Sequence, residues 1–343
     1  MDGPAAAGVP RLSRPRLTVV VPTYNGRHLL GRCLDSLRRH MPGGVEVVVV
    51  DDASTDRTDS WLLSAHPYVV FRRMERNVGF VSAANAGLAL AKGEYVQLLN
   101  NDAEVTAGWA EAGLRPFDDP RVGSVAPLVL VRSDPSRVDS AGDSYALFGW
   151  PSKRGHGQPA RRWAAAPPGP VFGASGSSAF YRASALAKVG GYDPTFGSYY
   201  EDVDLSFRLR WAGYTCMYSP GCVVRHDISA TYDHARPDLQ RRISRNAEWL
   251  FWSNLPAPTL LLALIPHLGF VAAQAAVKLL RGRLGPFAAG KLDAIRGLST
   301  IRARRALRRD LAAASPGRPH FPIEALPLGA ILGHRRRPRE TSR

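Results

Sequence analysis

Three times in the N-terminal third of this chain, an apolar run of strand length stops at a polar cluster. Residues 17–21 end at Pro22-Thr23-Tyr24-Asn25-Gly26, 45–50 at Asp51-Asp52-Ala53-Ser54-Thr55-Asp56, and 94–99 at Asn100-Asn101-Asp102. Unbroken apolar runs belong to strands covered on both faces, as in a parallel sheet. Between them Leu29, Leu30, Cys33, Leu34 and Leu37 recur at helical spacing up to about His40, and a further helix is expected over 81–91. A third strand is expected over 68–71, ahead of Asn77-Val78-Gly79-Phe80. This alternation predicts an α/β domain with a mostly parallel sheet and flanking helices. Ligands of such sheets bind beyond the carboxyl ends of the strands, so one rim should collect the polar clusters.

Further along, a helix over 107–114 and a strand over 123–131 are expected. Residues 132–170 mix Gly, Pro, Ser and Arg without a period and read as a long loop bordering the site. Residues 171–181 read as a small-residue strand or loop. Ser184 caps a short helix ending at Gly190-Gly191, and a helix from about Glu201 is closed by Gly213. Extended chain over 214–224 then leads to Arg225-His226-Asp227. The net charge of +16 is concentrated beyond Ile228, where 20 Lys and Arg face 7 Asp and Glu. The body is therefore nearly balanced, and the basic excess describes an appendage over 229–343. Cys33, Cys216 and Cys222 form no C-x-x-C pair and read as buried reduced thiols. Residues 1–16 lack the apolar core of a signal peptide and read as a disordered lead-in.

Five segments carry a resemblance: Val20-Val21-Pro22-Thr23-Tyr24-Asn25, Asp51-Asp52-Ala53-Ser54, Asn77-Val78-Gly79-Phe80 with Asn85, Asn100-Asn101-Asp102, and Glu201-Asp202-Val203-Asp204. In this order, across 17–227, they resemble the family 2 inverting glycosyltransferases of GT-A fold, in particular the rhamnosyltransferase-like branch. The resemblance implies a GT-A type, Rossmann-like sheet over 17–228. It also implies transfer of a sugar from a nucleoside-diphosphate donor, UDP- or dTDP-type, to a glycan or lipid-linked hydroxyl. The branch suggests dTDP-rhamnose.

On that resemblance Pro22, Tyr24 and Asn25 wall the donor's base, and Asp52 accepts a hydrogen bond from it. A carboxylate suits the imide N–H of a uracil- or thymine-type ring. The plainer alternative makes both acids helix caps, and a division of labour would leave Asp51 capping and Asp52 binding. Asn77, Gly79 and Asn85 resemble the second nucleotide-contacting segment, where a helix start offers N–H groups to phosphate; Asn101 joins the donor side. A loop glycine and a helical asparagine without ligand are the rival. Asp102 resembles the last acid of a D-x-D metal motif, with His226 completing coordination of Mg or Mn, which would neutralise the leaving diphosphate. Asn100 stands where that motif begins with Asp, so the hold on the cation is weakened. A capping Asp and a structural His are the alternatives.

Asp202 is assigned as general base, since a carboxylate at about 3 Å can take the proton of an acceptor hydroxyl. Glu201 beside it is read as orienting the acceptor, and both Glu201 and Asp204 compete for the base's role. Residues i and i+2 do not share a helix face, so Asp202 and Asp204 cannot serve together. An acidic helix N-terminus favoured by the dipole is the alternative. Gly173, Ser175 and Gly176, in a small polar stretch that is not a dinucleotide fingerprint, should line the acceptor cleft. Trp150 and Trp163 either stack on sugars or anchor their loop.

In the last third, 240–252 reads as a basic, aromatic helix. Residues 259–280 are long enough to span a bilayer but carry Pro266, His267, Gln274 and Lys278. Arginine clusters at Arg302, Arg304, Arg305, Arg308 and Arg309 and at Arg335-Arg336-Arg337 follow. Together they fit a peripheral helix on the cytoplasmic face of the membrane, drawn to anionic lipid. An ordinary helical subdomain is the rival, and no module for reading nucleic acid is found. Processive synthases usually carry Q-x-x-R-W, which Gln240-Arg241-Arg242-Ile243 does not match. The competing class is a noncatalytic nucleotide-sugar or glycan-binding protein of the same fold. Asn100 favours it, and the Glu201-Asp202 pair argues against it.

Overall fold

The computed structural model describes residues 15–227, 236–315, 317 and 319–325; the expected lead-in up to residue 14 and the cluster Arg335-Arg336-Arg337 lie outside the described residues. β1 (Leu17–Thr23), α1 (Arg27–His40), β2 (Val45–Asp51), α2 (Thr58–Ala65), β3 (Val70–Arg73), α3 (Phe80–Leu90) and β4 (Tyr95–Leu99) alternate as the sequence predicts. β1 lies parallel to both β2 and β4, and β2 to β3. Every residue of β1 and β4 is buried, which is why their apolar runs are unbroken. α1 turns Leu30, Cys33, Leu34 and Leu37 onto the sheet. β3 starts two residues later than expected and is largely exposed at the sheet edge, so its apolar signal is weak.

There follow β5 (Ala103–Val105), α4 (Trp109–Leu114), β6 (Val122–Val131), β7 (Asp134–Ser140), β8 (Asp143–Ala146), β9 (Pro151–Lys153), α5 (Ala160–Ala164), β10 (Gly169–Val171), β11 (Ser178–Arg182), α6 (Ala183–Val189), α7 (Glu201–Trp211) and β12 (Thr215–His226). The main sheet runs β10-β12-β6-β11-β4-β1-β2-β3. β11 sits antiparallel between β4 and β6, while β6 and β12 run parallel to each other. β6 and β12 therefore share the direction of β4, and the carboxyl ends of β1, β2, β4 and β12 come to one rim.

The expectation of a long loop over 132–170 is overturned. β7 folds back on β6, and β8 pairs with β9 so that the Ser144 and Ser152 hydroxyls lie 2.9 Å apart. These strands are short and broken by Gly and Pro, so no period develops along them. Their pairing comes from long-range contacts instead.

α8 (Pro237–Asn254), α9 (Ala257–Leu280), α10 (Leu284–Arg296) and α11 (Leu298–Ala313) complete the described chain, with the two-residue β13 (Ile323–Glu324) joining β8. α8 and α11 close on α7. There Asp204 is fully buried between Arg208, at 2.7 Å, and Arg308, while Arg304 meets Asp193 at 2.9 Å. α9 is long and apolar enough to cross a membrane. One of its faces is docked, however. His267 stacks on Phe251 with ring centroids 3.6 Å apart, and its Nδ1 lies 2.9 Å from the Phe148 carbonyl. Leu261, Leu262 and Ile265 on other faces are 76%, 73% and 81% exposed. Cys33, Cys216 and Cys222 are free and buried, as expected.

Candidate active site

The rim of strand ends opens into a cleft of about 1160 Å³. Pro22, Tyr24, Asp52, Asn77, Gly79, Asn101, Asp102, Ser175, Gly176, Glu201, Asp202 and His226, all singled out from the sequence, line it together. Segments as distant as β1 and β12 contribute, because parallel strands deliver their ends to the same side.

On one side, Asp52 accepts the N–H of Val78 at 2.8 Å and of Gly79 at 2.9 Å. It thus clamps the loop that opens α3, where Gly79 adopts φ +84°, a conformation that favours glycine. Burial raises the Asp52 pKa, against those two N–H groups. Asp51 takes the structural part. Its carboxylate accepts the Ser54 N–H at 3.1 Å and the Arg73 guanidinium at 2.9 Å, turning the chain after β2 without capping α2.

At the end of β4, Asn101 donates to Thr23 at 2.8 Å and ties two strand ends together. Asp102 Oδ1 lies 3.2 Å from His226 Nε2, and His226 Nδ1 lies 3.1 Å from Asp139 Oδ2. Asp139, on β7, is fully buried and ion-paired to Lys153 at 2.9 Å. Burial alone would raise its pKa, but Lys153, His156 and His226 hold it well below the usual carboxylate range. It is therefore the anion to which Nδ1–H donates, leaving Nε2 directed at Asp102. Burial disfavours the imidazolium, yet Asp102 and Asp139 push His226 up to about 9. Asp227, the next residue, is gripped by Arg32 at 2.6 Å and Arg132 at 2.7 Å, which fixes the end of β12.

Asn100 Oδ1 is buried without a hydrogen-bond partner, and buried Asp102 Oδ1 has none besides the His226 ring 3.2 Å away. Buried oxygens of this kind call for a donor or a cation. Among the described residues no three His, Cys, Asp or Glu side chains converge to hold an ion on their own. Any cation here therefore needs ligands from a bound molecule or from water.

On the other side, Asp202 at the start of α7 accepts the N–H of Gly176 at 2.8 Å and its neighbour Val203's at 2.8 Å. A Cβ on Gly176 would come 3.1 Å from Asp202 Oδ2, so the small residue permits this approach. Burial nevertheless raises the Asp202 pKa. Glu201 is buried with Oε2 unpartnered and is pushed up to about 8, by burial first and then by Asp202. Asp204 faces away, into its two arginines, and is not available as a base.

Three of the predicted positions lie outside the cleft lining. Asn85 grips the backbone of Tyr192 from both sides, donating to its carbonyl at 2.7 Å and accepting its N–H at 2.9 Å, because it sits on the face of α3 toward the Gly190-Gly191 turn. Asn25 accepts the Thr55 N–H at 2.7 Å and so braces the turn after β2. Gly173 packs where a Cβ would strike Ser206 of α7, and its carbonyl accepts the Asp143 N–H at 2.8 Å. Trp150 and Trp163 are anchors: the first stacks near Phe270, the second meets Tyr218 edge-on.

The sequence reading passed over Asp139, Asp143, Lys153, Arg242 and Arg245. Asp143 lines the cleft with Oδ2 buried and unpartnered, raised well above its usual range by burial and then by Asp202. Only the pairing of β7 with β6 and of β8 with β9, and the docking of α8, reveal these residues. No local signal marks them.

The family model described as Glycosyl transferase family 2 matches residues 18–190. A pre-mycofactocin glycosyltransferase of Mycobacterium tuberculosis is 34% identical over 71% of this chain and 47% of its own length. The chain thus spans about half the length of that relative. An N-acetylglucosaminyl-diphospho-decaprenol L-rhamnosyltransferase of the same organism is 32% identical over 61% of this chain and 75% of its own. Among solved structures, a mannosyltransferase from Pyrobaculum calidifontis in complex with GDP-Man and Mn2+ superposes with a TM-score of 0.52 at 23% identity, covering 91% of this chain and 89% of that one. That likeness shows the GT-A fold. With the family model spanning half of the chain and the rhamnosyltransferase matched over most of its length, the chain belongs to glycosyl transferase family 2.

Proposed function

We propose that this chain is a metal-assisted inverting glycosyltransferase, moving a sugar from a nucleoside-diphosphate donor to a hydroxyl of a glycan or lipid-linked acceptor. The observation that carries the reading is a carboxylate, Asp202, oriented by two backbone N–H groups in the same cleft as the Asp102–His226 pair. Pro22, Tyr24 and Asp52 would receive the base, and Asn77 and Gly79 the ribose-phosphate end. Asp52 keeps lone pairs free for an imide N–H, which favours a UDP- or dTDP-type donor. Relatives named for an L-rhamnosyl group and a decaprenyl diphosphate support a rhamnosyl donor and a lipid-linked acceptor.

Asp102 and His226, with Asn100 alongside, would hold Mg or Mn. His226 would give up its Nε2 proton on ligating; oxygen and neutral imidazole suit either ion, and the diphosphate would supply further ligands. When bound, the cation neutralises charge on the leaving diphosphate. Asp202 takes the proton from the acceptor hydroxyl as that oxygen attacks the anomeric carbon, and the donor's bond to diphosphate breaks on the far side. One such displacement inverts the anomeric centre. Glu201, protonated near neutrality, can donate to an acceptor oxygen without competing as a base.

The test is Asp202→Asn. It should bind UDP with Mn2+ like the unaltered chain and lose transfer by about 10²-fold or more. Unchanged turnover would remove Asp202 from its role. Donor binding without any turnover in the unaltered protein would favour the noncatalytic reading. The exposed apolar side chains of α9 support a seat on a membrane surface, in keeping with the cytoplasmic-face reading.

A further inference from the structure

α8 forms a wall of the cleft that the sheet alone would leave open. Leu239, Arg242 and Asn246 recur at i, i+3 and i+7, so they share one helix face. Asn246 is fully buried, and the two N–H groups of its side-chain amide are shared among the carbonyls of Phe196, Ser198 and Tyr199, at 3.0, 3.0 and 2.9 Å from the nitrogen. Arg242 donates to the Ser198 hydroxyl at 2.9 Å and lines the cleft beside Arg245. Arg245 in turn donates to the Thr195 carbonyl at 3.0 Å, with its guanidinium 4.2 Å over the Trp249 ring.

The charge balance of this wall is uneven. Arg236 meets Asp238 at 2.9 Å and Arg241 meets Asp293 at 2.5 Å. Among the described residues Arg242 and Arg245 have no carboxylate within ion-pair distance, and burial, then the charge of Arg242, lowers the Arg245 pKa. A guanidinium offers five N–H donors in a fork that matches phosphate, and the Ser198 hydroxyl engages little of Arg242's.

We propose that Arg242, backed by the charge of Arg245, binds a phosphate or diphosphate group carried by the acceptor, so that this site takes an anionic, phosphate-linked acceptor and not a neutral glycan. The inference rests on the reading of Asp202 as base. An inverting displacement brings the acceptor to the base's side, and Ser198, which Arg242 holds, lies four residues ahead of Asp202 on the loop leading into α7. The donor's diphosphate belongs instead with Asp102 and His226 at the strand ends. Exposed apolar side chains of α9, the helix that follows α8, would lie against the hydrocarbon of a lipid-borne acceptor.

Farnesyl diphosphate titrated into the full-length protein saturated with UDP and Mn2+ tests this, because the nucleotide then fills the donor's diphosphate position. Binding should survive UDP saturation and exceed that of farnesol by about tenfold or more. Arg242→Gln should weaken it by about tenfold, with UDP affinity unchanged. Arg242→Lys, which keeps the charge without the fork, should fall between the two, and decides the matter if the Gln variant does not fold. Arg241→Gln, outside the cleft lining, should bind like the unaltered protein. Displacement of farnesyl diphosphate by UDP would assign its recognition to the donor site and overturn the proposal. So would affinity no better than that for farnesol, or equal binding by the Gln or Lys variant and the unaltered protein. Capture of phosphatidylglycerol vesicles lost with Arg242 while farnesyl diphosphate binding persists would make it a headgroup site and likewise overturn it. Arg242-dependent binding in a protein that takes no UDP would leave this site standing and sink the nucleotide-sugar reading.

Discussion

Asp202 accepts two backbone N–H groups, which favour its charged form, and burial still raises its pKa. Asp143 and Glu201 lie close enough to Asp202 to feel its charge, and the nearby Lys153 is ion-paired to Asp139. A base works only when deprotonated, so the raised value moves the loss of activity upward: as pH falls, Asp202 is protonated before an ordinary carboxylate would be. We expect kcat/KM for transfer to rise with pH along an acid limb displaced upward from the ordinary carboxylate range. A limb in the ordinary carboxylate range would contradict the assignment. Asp52, Asp102 and Asp202 were legible in the sequence because each directly follows an apolar strand or opens a helix, so local pattern places it. Asp143 and Lys153 were not, since their strands are four and three residues long and owe their place to pairing with each other.

The loop into α7 shows the same limit for an element. Tyr199 and Tyr200 adopt φ of 68° and 72°, left-handed for two bulky residues in succession. Such backbone costs roughly 1–3 kcal/mol per residue and persists where its surroundings enforce it. Asn246 does so with three carbonyl contacts from 47 to 50 residues away. Nothing in a basic, aromatic helix marks that asparagine as a latch; only the fold reveals it. Asn246→Ala would take the side-chain donor from the Ser198 and Tyr199 carbonyls, while Phe196 keeps the Ser198 N–H at 2.9 Å, at about 1–3 kcal/mol for each buried group left unpaired, so the urea midpoint should drop with the slope unchanged. Transfer should fall more than UDP binding, because the loop carries Glu201 and Asp202 and not the donor side. Equal loss of both would mean that the latch supports the whole cleft.

For the whole molecule, the basic C-terminal third is both wall and surface. α8 lines the cleft and α11 buries Arg308 against Asp204, so removing the helices after β12 would strip the site as well as any membrane contact. Substitutions on the outer face of α9 separate the two. Leu262 and Ile265 are 73% and 81% exposed, so their replacement leaves the packing around His267 intact. Burying each in a lipid interface would contribute about 1.5–3 kcal/mol, and the exposed Arg281 and Arg283, just past the C-terminal end of α9, would add attraction to anionic headgroups. Leu262→Glu with Ile265→Glu should therefore cut sedimentation with phosphatidylglycerol vesicles by about tenfold or more and leave the melting temperature within a degree or two. UDP binding should not change, because neither side chain reaches the cleft. Equal partitioning of the double variant and the unaltered chain would remove α9 from the membrane and return it to a helix awaiting a protein partner.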